Sequence, residues 1–276
     1  MKKLVFTDLD GTLLDHHSYD YSAALPAIEK LSIAEVPWII TTSKTHAEVI
    51  GLKQEMNNPF PYIVENGAGI FWPEGSLQSS FIPNGVKIQT LECGAQYVSL
   101  SKIQLPEILA LSCRYKKQLD LKFVGFSEMS VEQVVECTGL TMDKASKAKQ
   151  RQFSEPLLWQ DTEAQFLEFQ KVLAPYDLQL IKGGRFVHLM GLSNKGMALT
   201  ILKKYFQQQF KESLVTMALG DGENDISLLE ASDYPVIVRS PVNAPPKVKH
   251  PKVIITAQYG PEGWNQAVLD WLNRIN

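Results

Sequence analysis

Two acidic clusters stand far apart in the chain, Asp8-Leu9-Asp10-Gly11-Thr12 near the start and Gly220-Asp221-Gly222-Glu223-Asn224-Asp225 near the end, each directly after a short apolar run. Carboxylates gathered without matching bases repel one another unless a cation sits among them. A hard cation held by oxygen ligands is also what neutralises a phosphate ester, so the pair reads as one divided, metal-assisted phosphate site. An Asp-x-Asp-Gly stretch alone is often a turn, because Asp caps backbone donors and Gly supplies positive φ. Neither cluster completes the alternating ligands and distant Glu of a calcium-binding loop. The divided site therefore requires a fold that joins the two clusters.

The preceding elements meet that requirement. Residues 3 to 7 and 214 to 219 have the length and β-branched content of buried parallel strands. Their carboxyl ends deliver the acids to one edge, and in an open α/β sheet ligands bind at that edge, at a topological switch point. The pattern between and beyond them predicts a helix over 22–34, a strand over 37–42, a helix over 46–56 and a strand over 62–65. The turn Asn66-Gly67-Ala68-Gly69 follows; the third glycine of a dinucleotide fingerprint would fall at Trp72, so that cofactor has no support. From residue 84 to 190 the regularity changes, with helices over 105–119, 130–138 and 163–174 among strands near 122–126, 155–160, 178–182 and 185–190. Alternation resumes with a helix over 194–209, the 214–219 strand, a helix through Leu229 and strands near 235–239 and 253–256. The expected fold is α/β: a doubly wound, mostly parallel sheet with a Rossmann-like core, residues 1–83 and 191–276, interrupted by an inserted α+β cap at 84–190.

The chain of 276 residues, 45% hydrophobic and 21% charged with net charge −3, lacks the basic excess that steers nucleic acid or anionic membrane. No apolar run approaches the ~20 residues of a membrane span. Cys93, Cys113 and Cys137, odd in number and widely spaced, suggest neither a disulfide framework nor a thiolate metal site. A cytoplasmic protein is expected, and nothing in the sequence fixes an oligomeric state.

Asp8-x-Asp10-Gly-Thr12, Thr42 at the end of the second strand, Lys195 in Asn-Lys-Gly-Met-Ala-Leu and Gly-Asp221-x-x-Asn224-Asp225 occur in the order of four motifs. Together they resemble the haloacid dehalogenase-like phosphatases, in the Cof-type branch whose cap follows the third strand. The resemblance implies a phosphatase that works through an aspartyl-phosphate. Asp8 is then the nucleophile, and Asp10 the group that protonates the leaving oxygen and later deprotonates water. Thr42, Ser43, Lys44 and Lys195 would bind phosphate, and Mg²⁺ would be held among Asp8, Asp10, Asp221, Asn224 and Asp225.

Thr42-Ser43-Lys44-Thr45 replaces the usual Thr-Gly-Arg. With Arg151-Gln-Phe-Ser154-Glu155-Pro, Gly183-Gly184-Arg185-Phe186-Val-His188 and Gly260-Pro-Glu-Gly-Trp264, it resembles the mannosyl-3-phosphoglycerate phosphatase subgroup. A small phosphorylated sugar-glycerate substrate is implied, with mannosylglycerate, a compatible solute, as product. Such a substrate carries a carboxylate that a planar guanidinium can engage, which makes Arg185, Arg151 and Ser154 the substrate-binding candidates. The glucosyl analogue and a broader sugar-phosphate range stay open, as does a non-catalytic sensor, which would not need Asp10. Strand alternation over 185–190 groups His188 with Phe186 and Met190 as packed residues. His16, His17, His46 and His250 are expected at the surface, and Trp159 and Trp264 in the core.

Overall fold

Leu4, Val5 and Phe6 are wholly shielded from solvent, Val5 in one apolar cluster and Leu4 and Phe6 in another. A strand that buries both faces needs a layer on each side, the setting of a central strand in a parallel sheet. The computed structural model describes residues 1–82 and 87–274. In chain order its elements are β1 (Lys2–Thr7), α1 (Leu25–Ile33), β2 (Trp38–Ile40), α2 (His46–Glu55), β3 (Tyr62–Val64), β4 (Gly69–Trp72), β5 (Ile88–Thr90) and β6 (Gln96–Ser99). There follow α3 (Leu105–Gln118), β7 (Phe123–Gly125), α4 (Val131–Thr138), α5 (Met142–Ala148), β8 (Ser154–Trp159), α6 (Glu163–Leu173), β9 (Leu178–Lys182) and β10 (Val187–Gly191). The chain closes with α7 (Lys195–Phe210), β11 (Leu214–Gly220), α8 (Ile226–Ala231), β12 (Tyr234–Arg239), β13 (Ile254–Tyr259) and α9 (Gly260–Arg274).

The central sheet is parallel, in the order β13-β12-β11-β1-β2. From β1 the chain passes to β2 on one side and later fills the other side from β11, so the switch point lies between β1 and β11. Their register, Thr7 opposite Leu219, sets the two acidic clusters side by side. One face is covered by α7 and α8 through Leu199, Leu202 and Leu228, the other by α1 and α9 through Leu31, Trp264 and Val268.

Two antiparallel sheets complete the molecule, β3-β4-β6-β5 and β7-β8-β10-β9. On the second, α3 and α6 pack Ile108, Leu111, Phe166 and Phe169 against Leu157, Leu180 and Leu189. A smaller apolar cluster joins α4 and α5 to Phe126. The chain leaves for this sheet past Ser101 and returns at Gly191, and the two points touch: a Cβ on Gly191 would lie 2.5 Å from Ser101 Oγ.

Several expectations need adjustment. The boundary set between residues 83 and 84 lies outside the described residues. Strands β4, β5 and β6 were unforeseen; β6 pairs with β4 and β5 with β6, so they go with β3 rather than with the α+β sheet. The strand expected over 37–42 is Trp38–Ile40, with Thr41 making one bridge to Ile63. That over 185–190 starts at Val187, so alternation does not govern Arg185 or Phe186. Helices α5 and α9 were also unforeseen; α5, Met-Asp-Lys-Ala-Ser-Lys-Ala, has little apolar periodicity and begins where the Thr141 hydroxyl caps Lys144 N–H. Among the described residues no helix is long and apolar enough to cross a membrane.

The strand expected over 62–65 ends at Val64 because Glu65, Asn66 and Gly67 take φ of +47°, +57° and +93° in succession. A Cβ on Gly67 would fall 2.2 Å from the backbone of Asn194, at the start of α7. Gly67→Ala should therefore cost about 2 kcal/mol or more, read as a fall in melting temperature of roughly 4–8 °C. An unchanged melting temperature would show that this contact is not needed.

Candidate active site

Asp8 stands where β1 ends. Its N–H donates to the Leu219 carbonyl at 2.9 Å, and its own carbonyl accepts from Thr7 Oγ1 at 2.7 Å. Thr7 Oγ1 in turn accepts from the buried Trp264 indole at 2.8 Å. Asp221 follows β11, and the Asp8, Asp221 and Asp225 carboxylates come within 4.8 Å of one another, all buried. Lys195, the first residue of α7, has no solvent exposure; its Nζ donates to Asp8 Oδ1 at 2.7 Å and Asp225 Oδ1 at 2.6 Å. Asn194 holds that helix start by capping Met197 N–H. Burial works against the lysine charge, but Asp225 and then Asp8 outweigh it and hold its pKa above the usual lysine range.

One ammonium does not balance three buried carboxylates. Burial first, then Asp225, pushes the Asp8 pKa well above the carboxylate range despite Lys195. Asp221 is raised to about 6 by burial and then by Asp225, against a hydrogen bond from Asn243 Nδ2 to its Oδ2 at 3.1 Å. Such oxygens suit a small hard cation, and the residues present fit Mg²⁺. Asp8 and Asp221 are the better placed to hold it. Asp225 is already engaged through both oxygens, Oδ1 by Lys195 and Oδ2 by the N–H groups of Asp221 and Gly222. Gly11 allows the close approach: a Cβ there would lie 2.7 Å from Asp221 Oδ2. Of the other expected ligands, the Asp10 carboxylate lies outside the cluster of three, and Asn224 donates its amide to Asn66 Oδ1 at 3.2 Å.

Asp10 Oδ2 pairs with Lys44 Nζ at 2.8 Å, while its Oδ1 is buried with no hydrogen-bond partner among the described residues. Burial opposes the Lys44 charge, but Asp10 and then Glu48 overcome it, raising the pKa. Both residues line a cavity of about 380 Å³ above the acids, together with Ser43, Arg151, Arg185 and His188. Thr42 is buried; its hydroxyl accepts from Lys44 N–H, fixing the loop rather than facing the cavity.

The expected substrate-binding residues divide. Arg185 is exposed at the rim and donates through Nη1 to the Thr138 carbonyl at 2.6 Å. Ser154 is fully buried and does not line the cavity; its hydroxyl donates to Glu65 Oε2 and accepts from Arg151 Nη2, both at 2.7 Å. Arg151 does reach the cavity, with its side chain 5% exposed.

His188 is buried on the face of β10 that also carries Met190, as expected of a packed residue, but that face also borders the cavity. Val187 and Leu189 face the α3–α6 cluster, so the opposite face of β10 turns His188 into the cavity, buried, with Nδ1 unpartnered among the described residues. Burial, then the charges of Arg151 and Lys195, lowers its pKa to about 3, so the ring is neutral at ordinary pH. His46 is not a surface residue either: it stacks on Phe71 and bonds Tyr62 OH through Nδ1 at 2.7 Å. His16 lines the cavity. Glu65, Asn66 and Asn243 were not foreseen; only the Glu-Asn-Gly turn carried a signal, from its glycine.

The haloacid dehalogenase-like hydrolase family model matches residues 5–263. A glucosyl-3-phosphoglycerate/mannosyl-3-phosphoglycerate phosphatase of Persephonella marina is 34% identical over 273 residues, covering 99% of this chain and 98% of its own. A protein of the same name from Methanococcoides burtonii is 35% identical over 283 residues, covering 100% and 99%. The crystal structure of SMU.1108c from Streptococcus mutans UA159 matches with a TM-score of 0.66 at 18% identity, over 99% of this chain and 100% of that one, a likeness of fold.

A raised folded-state pKa costs stability as pH climbs. For Asp221 the penalty is absent below the unfolded carboxylate value of about 4 and complete above about 6. In EDTA, Asp221→Asn should therefore be the more stable protein at pH 7, by on the order of 2 kcal/mol, with the gap closing toward pH 4. Millimolar Mg²⁺ should reverse the order at pH 7. Urea unfolding at both pH values checks this; a wild type that is the more stable at pH 7 in EDTA contradicts it.

Proposed function

The chain belongs to the haloacid dehalogenase-like hydrolase family and is a phosphatase, and on that premise we propose that it is Mg²⁺-dependent, works through a phosphorylated Asp8 and acts on glycosyl-3-phosphoglycerates, mannosyl or glucosyl. The buried Asp8–Lys195–Asp225 contact, with Asp221 beside it on the cavity floor, carries this reading. The names of the two relatives support the substrate class, and Arg151 on the cavity wall suits its carboxylate.

Asp8 Oδ1 is tied to Lys195, leaving Oδ2 to attack phosphorus and form the aspartyl-phosphate as the ester oxygen departs. Asp10 donates the proton to that oxygen and takes one from the water that later cleaves the acyl phosphate, returning Asp8 and inorganic phosphate. Its Oδ1, without a hydrogen-bond partner among the described residues, is the oxygen left to do so. Lys195 offsets the charge of Asp8 and of the incoming phosphate. Mg²⁺, when bound by Asp8 and Asp221 with the Asp10 main-chain carbonyl, supplies further neutralisation of the phosphoryl oxygens. Three free cysteines, two of them exposed, suit a reducing cytoplasm.

Phosphate release should be fastest from mannosyl- or glucosyl-3-phosphoglycerate in a panel that includes simple sugar phosphates and phosphoglycerate, and should stop in EDTA. Asp8→Asn should abolish turnover and leave the far-UV dichroism unchanged. A panel led by a simple sugar phosphate would redirect the substrate assignment, and a turning-over Asp8→Asn enzyme would remove the nucleophile. Asp10→Asn should lose about 10²- to 10⁴-fold on an alkyl phosphate and less on an activated aryl phosphate in single turnover. Equal losses on both would exclude Asp10 as the acid.

A further inference from the structure

Glu65 is fully buried, yet its backbone is left-handed, with φ of +47°. For a residue with a side chain that conformation is costly and persists only where the surroundings enforce it. Its carboxylate reaches from the end of β3 into the inserted module. Oε1 accepts Gln152 N–H at 2.9 Å, and Oε2 accepts Phe153 N–H at 3.1 Å and Ser154 Oγ at 2.7 Å. Oε2 also lies 3.3 Å from Arg151 Nε as an ion pair. Arg151 Nη2 donates back to the core at the Ser43 carbonyl, 3.1 Å, and to Ser154 Oγ. The guanidinium is thus hydrogen-bonded through Nη2 and charge-paired, without a hydrogen bond, through Nε, and Nη1 is the nitrogen not engaged by these partners. Arg151 lines the same cavity as His188, whose Nδ1 has no hydrogen-bond partner among the described residues.

A buried ion pair is a weak source of stability, because desolvation offsets its attraction; what it secures is geometry. We propose that Glu65 is a positioning residue for substrate selection: it fixes the Arg151 guanidinium so that Nη1 meets the glycerate carboxylate at one place and angle. This rests on the glycosyl-phosphoglycerate reading above. It also changes the form of recognition expected for an arginine, since the two-nitrogen fork is directed at Glu65, Ser43 and Ser154 rather than at the substrate.

The test compares glucosyl-3-phosphoglycerate with its carboxamide analogue in wild type, Glu65→Gln, Ser154→Ala, Arg151→Lys and the Glu65→Gln/Arg151→Lys double variant, with melting temperatures alongside. Glu65→Gln should raise KM for the carboxylate substrate about tenfold more than for the carboxamide, with kcat moving less than KM. Ser154→Ala should shift the same ratio in the same direction by less, and answers the question if Glu65→Gln does not fold. The double variant should discriminate no worse than Arg151→Lys alone, because Glu65 acts through that arginine. Multiplying losses in the double variant, or equal losses on both substrates with a lower melting temperature, would overturn the positioning role. A wild type that treats the two substrates alike would overturn the substrate reading itself, and this inference with it.

Discussion

A single ammonium group, Lys195 Nζ, sits without solvent between Asp8 and Asp225, and the rest of the site is arranged around it. A buried lysine is tolerable only with its charge met at hydrogen-bond distance, and buried carboxylates only with a cation among them. The strands fix Asp8 and Asp221 through main-chain register, but a helix has to bring the lysine in. Its first residue is placed by the Asn194 cap and by Gly67, whose missing Cβ lets the turn lie directly on that backbone. Moving α7 would leave three carboxylates facing one another with no proton donor between them.

The turn after β3 extends this constraint outward. Its three consecutive left-handed residues each touch a different part of the molecule: Glu65 the segment before β8, Asn66 the amide of Asn224, and Gly67 the start of α7. The fourth-motif loop, the lysine helix and the inserted module are therefore referenced to one short stretch of backbone. Arg151, ion-paired with Glu65, is tied to that stretch, and although far from Asp8 in sequence it lines the same cavity.

The central sheet was legible because its strands are apolar on both faces and its acids follow them directly. Leu4 to Phe6 and Met217 to Leu219 are buried throughout, which suits central strands of a parallel sheet. The β3-β4-β6-β5 sheet was not legible: Gly69–Trp72 and Gln96–Ser99 are four residues each, too short for periodicity to separate strand from loop. The core motif residues Asp8, Lys195, Asp221 and Asp225 converge, while the module's residues were harder to rank. Arg151 and Arg185 look alike as sequence, and only burial separates a guanidinium held by Glu65 from one at the rim. Ser154 was a sound polar candidate that a buried acid claims first. Asn243, in a turn with no periodicity, reaches Asp221 through loop geometry that no spacing rule encodes.

The meeting of Ser101 and Gly191 has a consequence for how such a chain can change over evolutionary time. A segment whose two ends coincide is a side branch of the polypeptide: bridging the gap without it would need only a few residues, and lengthening it adds little closure entropy to the host. The five parallel strands keep their order whatever the branch contains. Exchange of the whole branch is therefore the inexpensive route to a new substrate, and the part of a replacement most constrained by the host is the short run that must offer backbone N–H groups to Glu65.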